Sequence, residues 1–177
     1  IVASLAVTPS VERRQALARY ADGDRVGAFP ALEELTRAEE AAREKANKLK
    51  TAQAFRELAA LATDMKDRGE KTTEEVIRIW NVAAERDPSD FWTWLFLARL
   101  HQEAGHTIAA AHSAAEMLRV ASTPRERSFA LDELGNIDIV AGNLAGAIKR
   151  YEECLKIDRS LAAANPGSAE DERHVAV

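Results

Sequence analysis

Apolar residues recur at three- and four-residue intervals along this chain, as in Val76, Trp80 and Ala83, or Ala147, Tyr151 and Cys154. That spacing is the buried stripe of an amphipathic helix. The stripes come in pairs. FRELAALATDMKDRG (55–69), FWTWLFLARLHQEAG (91–105) and SFALDELGNIDIVAG (128–142) each end on a glycine, 36 and then 37 residues apart. A second helical stretch follows each glycine: KTTEEVIRIWNVAAERDP, HTIAAAHSAAEMLRVASTP and NLAGAIKRYEECLKID. Aligned on the glycines, Leu58, Trp94 and Leu131 share a register. So do Leu61, Leu97 and Leu134, each followed by a small residue, Ala62, Ala98 or Gly135. The small residues let two helices of a hairpin approach closely, and the large ones fill the gap between hairpins, so that each unit is stable only when stacked.

Local punctuation agrees with this reading. Thr72 with Glu75 makes a capping box at one helix start. Thr123-Pro124-Arg125-Glu126 supplies a cap, a proline in the first turn and a glutamate three residues after the cap. Pro88 and Pro124 end two units, and Asn165-Pro166-Gly167 stops the last full helix.

The pattern resembles the tetratricopeptide repeat (TPR), W-x2-L-G-x2-Y…A-x3-F…P over about 34 residues. Trp94-x2-Leu97-Ala98 with Ala110, Ala114 and Pro124 follows it, and Leu131-x2-Leu134-Gly135 with Ala147-x3-Tyr151 follows it more closely. His101 and Asp138 stand where the repeat usually has Tyr, and Arg159 replaces the final Pro. The unit at 55–88 is the most divergent, with two extra residues between its helices. The resemblance implies an all-α fold of antiparallel helix hairpins stacked as a right-handed α-solenoid. Three repeats fall at 55–88, 91–124 and 128–159, within residues 55–160.

The flanks continue the scaffold. Residues 1–54 read as a degenerate leading helix pair and a long helix; 161–177 read as a linker and the first helix of a truncated further repeat, opened by Ser168-x-x-Asp171. No Gly or Pro interrupts 31–68, and an unbroken helix there would be roughly 57 Å long at ~1.5 Å per residue. A break is expected near Lys50–Thr51. The opening IVASLAVTPS is too short to span a bilayer, which takes about 20 residues, and lacks a basic start. It reads as a cut within a longer protein. Extended-period TPR arrays of bacterial multidomain proteins are similar, and in those the array is often joined to a signalling or NTPase domain.

Composition narrows the classes. Apolar residues are 46% and charged residues 30% of 177, with 8 Gly and 5 Pro, which fits a helical, folded, non-membrane chain. A net charge of −5 opposes nucleic-acid binding. The single Cys154 excludes an internal disulfide and a cysteine metal knuckle, and points to a reducing, cytoplasmic setting.

Chemistry is sparse. Glu103-x-x-His106 has the spacing of half a di-iron site, and Asp171-x-x-His174 could be read as the other half, from a different repeat. Solvated helix and turn residues are the simpler reading. His101 reads as a packed histidine and Cys154 as a buried thiol with no base beside it. No phosphate-loop, dinucleotide or nucleophile-elbow motif occurs. No catalytic residue, cofactor or metal is expected.

In TPR proteins the first helix of each hairpin lines the concave side, which receives a partner's segment. The resemblance places Trp92, Leu95, Arg99, Gln102 and Glu103 there, followed by Phe129, Asp132, Asn136, Ile139 and Val140. From the first unit it adds Arg56, Ala59, Thr63, Lys66 and Asp67. Trp and Arg dominate interface energies. Ala59, Leu95, Asp132, Asp67, Glu103 and Val140 stand where a TPR carboxylate clamp needs basic residues and Asn, so that clamp is not expected. The expectation is a non-catalytic scaffold binding a protein or peptide, with self-association as a homo-oligomer open. A spacer with no groove ligand is the first alternative and a metal-dependent helical enzyme the remote one.

Overall fold

A computed structural model of the chain describes residues 10–164. The expected stop at 165–167 and the segment carrying Asp171 and His174 lie outside them. Seven helices follow in order: α1 Val11–Ala21, α2 Arg25–Asp67, α3 Thr73–Arg86, α4 Phe91–Glu103, α5 Thr107–Val120, α6 Pro124–Val140 and α7 Leu144–Ala164. No strand forms among the described residues. The chain divides into two compact units, Ile1–Lys48 and Leu49–Val177.

In the first unit, α1 pairs with the start of α2. Arg13 donates to Glu39 at 2.8 Å and to Thr36 at 3.2 Å. Asp24 opens α2 by accepting from the Gly27 amide at 3.0 Å. Ala16 and Ala28 are the buried apolar residues of this unit.

The second unit is the stack. The end of α2 pairs with α3, α4 with α5, and α6 with α7. Each first helix ends on a glycine with positive φ, 78° at Gly69, 75° at Gly105 and 77° at Gly142. Beyond each glycine the next amide reaches back to the carbonyl of Met65, His101 or Asp138. This left-handed stop strains any L side chain, so the glycine alignment marks real helix ends. Both capping boxes form, at Thr72–Glu75 and Thr123–Glu126.

One cluster joins α2, α3 and α4 through Ala59, Ala62, Val76, Ile77, Trp80, Leu97 and Leu100. Two more join α4, α5 and α6. Ala98, Ala110, Ala114, Leu134 and Ile137 form the first, and Phe91, Leu95, Met117 and Ala130 the second. Each fully buried Leu, Met or Val contributes about 1.5–3 kcal/mol.

The structure corrects two expectations. No break occurs near Lys50–Thr51, because α2 is continuous from Arg25 to Asp67. Ion pairs one turn apart, Arg37–Glu33, Lys48–Glu44 and Arg68–Asp64, support a helix that has no internal breaker after Pro30. Leu58 and Leu61 share the register of Trp94 and Leu97 but are 49% and 65% exposed. Register decides which way a side chain points; a neighbouring hairpin decides whether it is covered.

Candidate protein-binding face

The open stripe of α4 runs through Trp92, Phe96, Arg99 and Glu103, which at intervals of four, three and four residues is one helical face. Trp92 is 53% and Phe96 40% exposed. Trp92 meets the edge of Phe91 at 5.3 Å between ring centroids, and Phe96 stacks on Trp80 at 4.6 Å. These contacts fix both aromatic rings from beneath.

The charged members of the stripe are tied to neighbouring helices. Arg99 donates through Nε to Glu133 at 2.7 Å, with a second contact at 2.6 Å. Glu133 is 6% exposed and also accepts from Gln102 at 3.4 Å. Lys66 reaches across to both oxygens of Glu103 at 2.8 and 2.7 Å, and Glu103 also accepts from Thr73 at 3.1 Å. The hydrogen bond to Glu103 is the main reason the Lys66 ammonium is held above its ordinary pKa. These pairs bridge successive first helices.

On α6, Asp132 and Asn136 are exposed and bonded to each other at 3.2 Å. Desolvation, then the charge of Glu133, raises the Asp132 carboxyl above its ordinary pKa. Asn136 Oδ1 accepts from the Tyr151 hydroxyl at 2.8 Å, so this side of α6 turns toward α7. Phe129 is half-buried against the Phe91–Leu95 cluster, while Ile139 and Val140 are 49% and 70% exposed.

Leu95 is a correction. It is 3% exposed, packed with Phe91, Met117 and Ala130, and the open position is its neighbour Phe96. Ala59 is likewise fully buried under α3 and α4. Arg56 is turned to the α3–α4 loop, donating to Asp87 at 3.1 Å. Burial alone would raise the Asp87 carboxyl, but hydrogen bonds from Ser89 and Arg56 outweigh it and hold its pKa below the ordinary value. Sequence reading missed Phe96 and Glu133. The signal for Phe96 was its four-residue step from Trp92.

The residues weighed for chemistry do not converge. Glu103 faces Lys66, whereas His106 lies 3.4 Å from His101 and 3.4 Å from Glu74. His101 is half-buried; burial and then the His106 charge hold its pKa below the ordinary 6.5. With Trp94, His112, Glu85 and Glu116 it lines a cavity of about 520 Å³. Among the described residues no three His, Cys, Asp or Glu side chains stand together as metal ligands. Cys154 is half-buried, 3.1 Å from Ser128 Oγ, and burial pushes its thiol pKa up. No described helix is long and apolar enough to cross a membrane.

No family model matches the chain, and no curated protein matches it. Solved structures do. The type III secretion translocator chaperone SycD of Yersinia enterocolitica is similar with a TM-score of 0.53 at 19% identity. The match covers 70% of this chain and 86% of that one. A second structure of that chaperone, described as an alternative dimer, has a TM-score of 0.51 at 19% identity, over 70% and 89% of the two chains. At this identity the likeness is one of fold: an all-helical, TPR-like repeat.

Proposed function

We propose that this chain is a non-catalytic TPR scaffold that binds a protein or peptide segment along the open face of α4 and α6, within a larger bacterial protein of the cytoplasm. The observation that carries this is the pair Trp92 and Phe96, which stand open and braced from beneath on one helical stripe. A rigid exposed aromatic presents contact area at little entropic cost, which is why Trp is enriched among interface anchors. The likeness to a translocator chaperone supports a protein as the ligand. The spacer reading has its own support, since Arg99, Gln102, Lys66 and Glu103 are already committed to partners inside the scaffold.

The test is selection of peptides from a displayed library on the 177-residue chain. Titrations would then use the selected peptide against wild type and Trp92→Ala. An affinity loss of roughly 30-fold, about 2 kcal/mol, at unchanged melting temperature supports the face as the site. Equal affinity of the variant, or no selected binder, leaves the spacer. Arg99→Glu is a poor probe, because it would set a second carboxylate against buried Glu133.

A further inference from the structure

The two ends of the stack carry the two halves of its own internal junction. Inside the stack, the second helix of one hairpin meets the first helix of the next through a repeated pair of positions. Ile77 on α3, 4% exposed, is in one cluster with Leu97 and Leu100 of α4. Ala111 on α5 holds the corresponding position and packs against the cluster that includes Leu134 and Ile137 of α6. The next position in this series is Ile148 on α7, and it is 59% exposed, beside Leu144 at 62%. At the other end Leu61 holds the position of Leu97 and Leu134 and is 65% exposed, with Leu58 at 49%.

The first helices repeat the asymmetry. Lys66 reaches forward to Glu103 of α4, and its counterpart Gln102 reaches forward to Glu133 of α6. Their counterpart on α6 is Ile139, an apolar residue left 49% exposed. The two bounding faces of the described stack are therefore apolar, and each carries one half of the junction formed inside it.

We propose that a second copy of this chain docks head to tail, with the Leu144–Ile148 face of α7 from one copy on the Leu58–Leu61 face of α2 from the next. The contact repeats the α3–α4 and α5–α6 junctions between chains. It is independent of whether the α4–α6 face carries a ligand. Because the two faces differ, a dimer leaves one of each free, and association continues past it into a ring or an open filament.

Sedimentation velocity of the 177-residue chain, from low to several hundred micromolar, tests this. The mass should rise with concentration beyond a dimer. Leu61→Asp and Ile148→Asp change exposed positions, so each should melt as wild type does while association falls tenfold or more. Mixed in equal amounts, the two variants should form a heterodimer and stop, since one retains an intact α7 face and the other an intact α2 face. A monomeric wild type overturns the proposal. So does a chain that associates only after removal of 165–177, which would make that segment the occupant of the α7 face. A dimer that survives both substitutions, or a mixture that stays monomeric, overturns it as well.

Discussion

Hairpins α4–α5 and α6–α7 share one register but close in different ways. In α4–α5 the small residue Ala98 clusters with Ala110 and Ala114, and Met117 packs with Phe91 and Leu95. The seam is apolar. In α6–α7 the corresponding pair is Gly135 and Tyr151, and polar links run along the seam. Ser128 donates to buried Asp158 at 2.5 Å, Arg150 to Asp138 at 2.5 Å, and Tyr151 to Asn136 at 2.8 Å. The first hairpin follows the aromatic plan, since Trp80 in the Tyr151 position donates to Thr63 at 3.3 Å. A hairpin of this fold can therefore close small against small or small against aromatic while the backbone register is kept. The aromatic version adds a hydrogen bond at its polar edge. The middle hairpin has neighbours on both sides and relies on packing.

The largest effect lies at the apolar junction between the first and middle hairpins. Leu97 is fully buried among Ile77, Trp80 and Leu100 and joins two hairpins at once. Leu97→Ala should cost about 2–5 kcal/mol through the cavity it leaves. Urea denaturation checks this; a cost under ~1 kcal/mol would mean the junction collapses to fill the space.

Gly135 sharpens the comparison next. A Cβ there would stand 2.6 Å from Tyr151 Cε1, closer than atoms in contact tolerate. Gly135→Ala gains up to ~1 kcal/mol of helix propensity and loses more to overpacking, for a net cost of about 1–2 kcal/mol. A stabilised variant would show that the ring moves aside freely.

Features settled by local chemistry were legible in the sequence. The two capping boxes and the three glycine stops each depend on a few consecutive residues, and all formed as read. Features settled by neighbours were not. Nothing local distinguishes Leu61 from Leu97, yet one is bare and the other fully buried. Leu95 and Phe96 differ by one residue, about 100° of helix rotation, and packing against α5 and α6 decides which is open. The pairing of Arg99 with Glu133 joins residues 34 apart in the chain and sits on no motif. Which side chains of the proposed face stand open was therefore only partly legible: Trp92 is exposed and Leu95 is not.

The smallest effect separates packing from polarity in the α6–α7 seam. Tyr151→Phe keeps the ring against Gly135 and removes only the hydroxyl that donates to Asn136. Because Asn136 is exposed, water replaces the lost partner, and the cost should be about 0.5–1.5 kcal/mol. The informative quantity is its coupling to Gly135→Ala. If the hydrogen bond pins the ring over the glycine, a phenylalanine ring can tilt away from an added methyl. Gly135→Ala should then cost less in the Tyr151→Phe background, by about 0.5–1 kcal/mol in a double-mutant cycle. Strict additivity would mean that packing along α7 holds the ring by itself. The aromatic hairpin would then be closed by volume alone, as its apolar neighbour is.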